Sequence, residues 1–108
     1  MKQGDVFWCT FRAPDKRRPV LVLTRNSIIP FLTSITVVSI TSTNRGVASE
    51  VSLTPGEDGM YADCAVNAYN IQTIPKAELG DFISSLSRER MREVRKAIEF
   101  AFGFDRLT

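Results

Sequence analysis

Asp15-Lys16-Arg17-Arg18-Pro19-Val20-Leu21-Val22-Leu23 sets three cations directly before a short, wholly apolar run. A run of this length, rich in branched residues and opened by proline, reads as a buried strand from Pro19 to about Thr24. The proline confines Arg18 to an extended backbone. A guanidinium is thereby fixed at the mouth of a rigid core element, where it can be aimed at an anion, and a phosphate-handling site is a candidate. The same cations would also serve as a solvated loop over a strand end.

Around this run the chain continues as short strands. Asp5 to Phe11 (DVFWCTF) is aromatic and β-branched, and Arg12 to Arg18, with Pro14-Asp15, reads as a turn-bearing loop. Ile35 to Thr41 is β-branched almost throughout, and Glu50 to Leu53 alternates polar and apolar. Pro55 to Gly59 reads as a hairpin-like connection. Cys64-Ala65-Val66 and Ile71 to Ile74 read as two more strands, and Pro75 to Leu79 as one helical turn. Asp81 to Leu86 fits a short strand or a helical turn. Ser87 is a good N-cap for a terminal helix whose apolar face is Met91, Val94, Ile98, Ala101 and Phe102, with Gly103 as its stop. Short strands followed by one helix predict a mainly β fold, a small antiparallel sheet or barrel covered by a C-terminal helix, in one domain over residues 1–108.

Composition narrows the chemistry. The chain has 108 residues, 44% hydrophobic and 24% charged, with a formal net charge of +2. Residues 1–26 carry six cations and two anions, a net of +4, and the remainder eight cations and ten anions, a net of −2. One basic patch on a near-neutral body suits a polyanion-contacting face. There is no histidine, which removes Ser-His-Asp, Cys-His and two-histidine mechanisms and the His-based zinc hydrolases. No glycine-rich phosphate loop and no metal-ligand spacing occurs, so neither metal nor cofactor is expected. Cys9 and Cys64 match no redox or zinc pair, and Cys9, inside an apolar strand-like run, reads as a buried, reduced thiol. Nothing approaches the roughly 18 apolar residues of a membrane span, and the N-terminus lacks a signal peptide's apolar core, so a cytoplasmic protein is expected.

Two polar clusters add to Arg18. Ser39-Ile40-Thr41-Ser42-Thr43 ends the third strand, where Ser39 and Thr41 share a face. If that strand neighbours the Pro19 strand, Arg18 and Thr41 meet near one rim, hydroxyl beside guanidinium, as a phosphodiester needs. Asn67-Ala68-Tyr69-Asn70 offers amides to base edges and a phenol for stacking. Hydroxyls at a strand end and a polar turn between strands remain open as the plainer readings.

Taken in order, Gly4 to Trp8, Arg18-Pro19-Val20-Leu21-Val22-Leu23, Val38 to Ser42, Val66 to Ile74, Leu79 to Leu86 and the final helix resemble the MazF/PemK toxins of bacterial type II toxin–antitoxin systems. The resemblance covers nearly the whole chain. It implies an SH3-like small barrel of the CcdB/PemK kind with a C-terminal helix, working as a homodimer. It implies a metal-independent endoribonuclease that cuts single-stranded RNA at short sequences, leaving 2′,3′-cyclic phosphate and 5′-hydroxyl ends. It also implies a cognate antitoxin whose acidic tail occupies the RNA groove. The family's catalytic arginine falls on Arg18 and its strand-end hydroxyl on Thr41, with Lys16, Arg17, Ser42, Thr43, Asn67, Tyr69 and Asn70 as expected RNA contacts. Two departures stand out. The loop 12–17 lacks the Gly-x-Glu that many members carry, and Asn67 and Tyr69 stand where some members place an acid/base Arg-x-Asp. The alternatives are a non-catalytic gyrase poison on the same fold, whose typical Trp-Gly-Ile-like end is absent from Phe104 to Thr108, and an inactive RNA-binding module.

Overall fold

A computed structural model describes residues 1–10 and 17–107. Six strands form one antiparallel sheet: β1 (Asp5–Thr10), β2 (Arg17–Val22), β3 (Ser34–Thr41), β4 (Glu50–Leu53), β5 (Cys64–Pro75) and β6 (Leu79–Ser85), in the order β4-β5-β3-β2-β1-β6. A four-residue helical turn, α1 (Pro55–Asp58), follows β4, and the terminal helix α2 (Arg88–Ala101) follows β6. No helix is long and apolar enough to cross a membrane.

The apolar run of β2 is buried because both of its faces are covered. Leu21 joins Val6, Val38, Ile40, Val51, Leu53 and Val66 in a cluster closed by Val94 and Ala97 of α2. Val20 and Val22 point the other way, into a cluster with Cys9, Ile29, Ile35, Val37 and Ile74. Each such side chain contributes about 1.5–3 kcal/mol on burial. Both cysteines are buried free thiols.

Three boundaries differ from the sequence reading. β2 starts at Arg17, not Pro19, because Thr10 and Cys9 of β1 pair with Arg17 and Arg18. Pairing with β3 begins only at Val20, so Pro19 stands where β2 is not yet paired on both sides. β2 also ends at Val22 rather than Thr24, since the Thr24 hydroxyl, in place of backbone, accepts from the Thr36 amide at 2.8 Å. Residues 55–58 are helical rather than a hairpin turn. Thr54 caps the Glu57 amide at 3.1 Å, and Gly59 ends the turn at a φ of 68°.

The third difference bears on the site. Cys64 to Pro75 is one strand, not two. Its pairing with β3 jumps from Ile71↔Val38 to Val66↔Ile40, while Asn67 pairs with Glu50 on β4. Asn67 to Asn70 is thus an extra, splayed length within a continuous strand, not a turn between strands.

No ladder joins the edge strands β4 and β6 among the described residues, so the barrel is left open there. Side chains span the gap. The Ser84 hydroxyl of β6 donates to the Asp58 carbonyl, and the buried Asp58 carboxylate accepts from the Thr54 amide and from Arg90 Nε, each at 2.9 Å. A Cβ on Gly59 would stand 2.8 Å from the Ser84 hydroxyl, so this position needs glycine both for its φ and for space. On α2, Ser87 caps the Arg90 amide at 3.1 Å as expected.

Candidate nucleic-acid interface

Strand alternation gathers polar groups at one end of the sheet face that holds Val20, Val22 and Val37. Val20 pairs with Ser39, and Val37 pairs with both Val22 and Gln72. Residues two apart share a face, so Arg18, Ser39, Thr41, Asn70 and Gln72 continue this apolar face as a polar one.

Arg17, Arg18, Thr41, Ser42 and Thr43 line one groove of about 350 Å³, floored by Pro19 and Ile40 and bounded by Tyr61. Arg18 and Thr41 thus meet across neighbouring strands, as the pairing of β2 with β3 predicts. The Thr41 hydroxyl oxygen accepts from the Thr43 amide at 3.2 Å, which leaves its proton to donate outward. Both arginines are exposed, and no carboxylate among the described residues forms an ion pair with either. Two positive charges are held close together with no carboxylate paired to them among the described residues, which favours an anion.

The groove has an aromatic wall that sequence reading missed. Trp8 and Tyr61 lie 4.9 Å apart between ring centroids, and the Arg17 guanidinium sits 4.5 Å over the Trp8 ring. Stacking holds Arg17 in place without discharging it. Tyr61 lies 43 residues from Arg18, in a segment with no strand or helix signal, so only the fold reveals it.

Arg18 also lines a second, adjoining groove of about 290 Å³ with Ser39, Asn70 and Gln72. Asn70 therefore lies in a groove beside Arg18. Asn67 and Tyr69 line neither groove. The Asn67 side-chain oxygen accepts from the Tyr69 amide at 3.1 Å, and Tyr69, 62% exposed, stands on the splayed segment above. Lys16 lies outside the described residues. Ser39, Gln72 and Tyr61 are the additions. The alternation of β3 places Ser39 beside Thr41, a signal already present in the sequence.

Ionisation elsewhere follows burial. Desolvation, with smaller contributions from Asp58 and Asp63, pushes the Cys64 thiol up to about 11, and burial raises Cys9 as well. Arg90 is held further into its charged form, first by its hydrogen bond to Asp58.

A small open barrel with one covering helix carries on its sheet rim two arginines that have no ion-pair partner among the described residues. The chain belongs to the PemK-like, MazF-like toxins of type II toxin–antitoxin systems, whose family pattern matches residues 2–102. It is 39% identical over 104 residues to a protein of Mycobacterium tuberculosis named probable endoribonuclease MazF5, covering 96% of this chain and 94% of that one. It is 42% identical over 91 residues to endoribonuclease MazF3 of the same species, covering 84% and 87%. Among solved structures, the M. tuberculosis toxin MazF-mt6 superposes with a TM-score of 0.81 at 36% identity, over 92% of this chain and 96% of that one. A mycobacterial endoribonuclease solved in complex with its cognate antitoxin superposes with a TM-score of 0.82 at 26% identity, over 95% of both chains.

Proposed function

We propose that this toxin is an endoribonuclease that cuts single-stranded RNA at the Arg18–Thr41 groove. The observation that carries the reading is the meeting, in one groove, of a guanidinium with no ion-pair partner among the described residues and a free hydroxyl proton, from the neighbouring strands β2 and β3. In this mechanism the substrate's 2′-oxygen attacks the adjacent phosphorus and the 5′-oxygen departs. The 2′-hydroxyl loses its proton and the 5′-oxygen gains one, giving 2′,3′-cyclic phosphate and 5′-hydroxyl ends. The nucleophile belongs to the substrate, so the protein must hold three atoms in line and stabilise the charge that develops. Arg18 neutralises the phosphoryl oxygens, and Thr41 donates to one of them and fixes its position. A guanidinium keeps its proton under ordinary conditions, so it suits charge stabilisation first and protonation of the leaving oxygen second. Arg17 on Trp8 and the hydroxyls of Ser42 and Thr43 hold the flanking backbone. Asn67, Tyr69 and, outside the described residues, Lys16 contact RNA further along.

The remaining roles belong to the same proposal. A cognate antitoxin with an acidic segment neutralises the toxin by competing for the groove, which the charge of Arg17 and Arg18 supports. The toxin works as a homodimer, using part of its exposed aromatic surface, and acts in the cytoplasm, where its RNA is.

The test is incubation of the purified protein with a long single-stranded RNA in EDTA, with the ends mapped and Arg18→Ala alongside. Discrete cuts bearing 5′-hydroxyls, absent in the variant, are expected. Intact RNA from the folded wild type overturns the reading, and cuts retained by Arg18→Ala overturn the site.

A further inference from the structure

Ser39 is 2% exposed, and its hydroxyl is, among the described residues, the buried side-chain polar atom left without a hydrogen-bond partner. Its neighbours on the face, Val20 and Val37, are apolar and fully buried, so alanine would fit the packing without stranding a hydroxyl. A buried, unmatched hydroxyl disfavours folding unless something else uses it. Ser39 lines the second groove, and the other residues there are Arg18, Asn70 and Gln72. Asn44 and Asn67 use their side-chain amides on protein partners, whereas no protein hydrogen bond holds the amide of Asn70 or Gln72 among the described residues. One hydroxyl and two amides, each able to donate and accept, therefore converge beside the proposed catalytic arginine with no partner among the described residues.

We infer that Ser39, Asn70 and Gln72 form a base-reading subsite that takes one unstacked RNA base next to the phosphate addressed by Arg18. This rests on the RNA reading above and deepens it. Single-stranded RNA is read by hydrogen bonds to the edges of splayed bases, and two amides plus a hydroxyl match an edge carrying both donors and acceptors. Arg18 lines both grooves, so the base read belongs to a nucleotide flanking the cut bond. Ser39 is the buried member of this lining, so the base reaches its hydroxyl when the longer Arg18 and Gln72 side chains turn aside on binding. The arrangement makes Ser39 a specificity residue: it weakens the free protein and is satisfied only by the correct base.

The experiment runs the wild type, Ser39→Ala, Asn70→Ala and Gln72→Ala against two randomised single-stranded pools. One pool is unmodified RNA, read by sequencing the cut ends. The other carries 2′-fluoro sugars, which block 2′-oxygen attack, and is read by sequencing the bound fraction. Ser39→Ala is expected to raise the thermal midpoint while flattening base preference about 10-fold or more at one position flanking the cut, in both pools. Asn70→Ala and Gln72→Ala are expected to flatten the same position. Unchanged preference in Ser39→Ala, or an equal loss at all sequences, overturns the subsite. Absence of cutting by the wild type overturns the endoribonuclease reading instead. The bound pool then still decides the subsite: a preference that Ser39→Ala erases supports it, and binding without preference overturns it.

Discussion

Arg18 and Arg90 are the same residue placed in opposite circumstances. Arg90 bridges α2 to the turn after β4, ion-paired to Asp58 at 2.9 Å, Glu93 at 3.1 Å and Glu57 at 3.4 Å. Its side chain is 20% exposed, and that of Asp58 is 2% exposed. Arg18 stands exposed on the rim, with no ion-pair partner among the described residues. Where charge joins two parts of the fold, it is matched to completion. At the proposed RNA groove, charge has no match among the described residues, and the Ser39 hydroxyl lacks a hydrogen-bond partner there in the same way. A search for function in this fold is therefore a search for unfilled valence rather than for charge itself.

The strongest way to break the comparison is to exchange the two losses. Arg18→Ala should lower RNA cleavage by about 10²–10³-fold, the scale of one lost transition-state donor. Its unfolding free energy in urea should stay within about 0.5 kcal/mol of wild type, as for other exposed positions. Comparable activity in the variant, measured by end mapping on one RNA, would erase the distinction. Arg90→Ala should do the reverse. It strands the buried Asp58 carboxylate and should cost roughly 3 kcal/mol in urea unfolding, with activity per folded molecule close to wild type.

Buried thiols sharpen the same contrast by titration. Cys64 has its pKa raised to about 11 from a reference of 9.0. An acid raised on folding stabilises fully below its unfolded pKa, and that contribution is lost as pH climbs through the folded value. Stability should therefore decline between about pH 9 and 11, and Cys64→Ala should flatten part of that slope in denaturation series across this range. Cys9, raised in the same direction, supplies another part. The smallest effect belongs to the helix surface. Glu89 and Arg92 pair at 3.6 Å with both side chains well exposed. Glu89→Ala should change stability by less than about 0.5 kcal/mol, and a larger shift in thermal melts would show that exposed pairs carry more here than the matched-charge rule allows.

Much of the architecture was legible from local pattern. The apolar run after Arg18, the β-branched Ile35 to Thr41 segment and the 3.6-residue period behind Ser87 each record which faces are covered, because burial on one or two faces selects side chains at fixed spacing. The errors fell where a neighbour overrides local chemistry. Arg17 and Arg18 looked like loop because they are charged, yet they are strand because Thr10 and Cys9 offer them backbone partners. Asn67 to Asn70 looked like a turn because it is polar, yet it is the splayed part of a strand that pairs with β4 while leaving β3.

The candidate site divides in the same way. The sequence by itself determined that an arginine would stand rigidly before a buried strand, that hydroxyls would end another, and that no histidine would take part. Those facts depend on residue identity and on backbone restrictions acting over a few positions. Only the tertiary structure decided that Arg18 and Thr41 share a groove, that Tyr61, stacked on Trp8, bounds it, and that Ser39 lies beside Asn70 and Gln72 with no partner among the described residues. Strand order and register set those meetings, and both are fixed by packing between residues tens of positions apart, which no local pattern encodes.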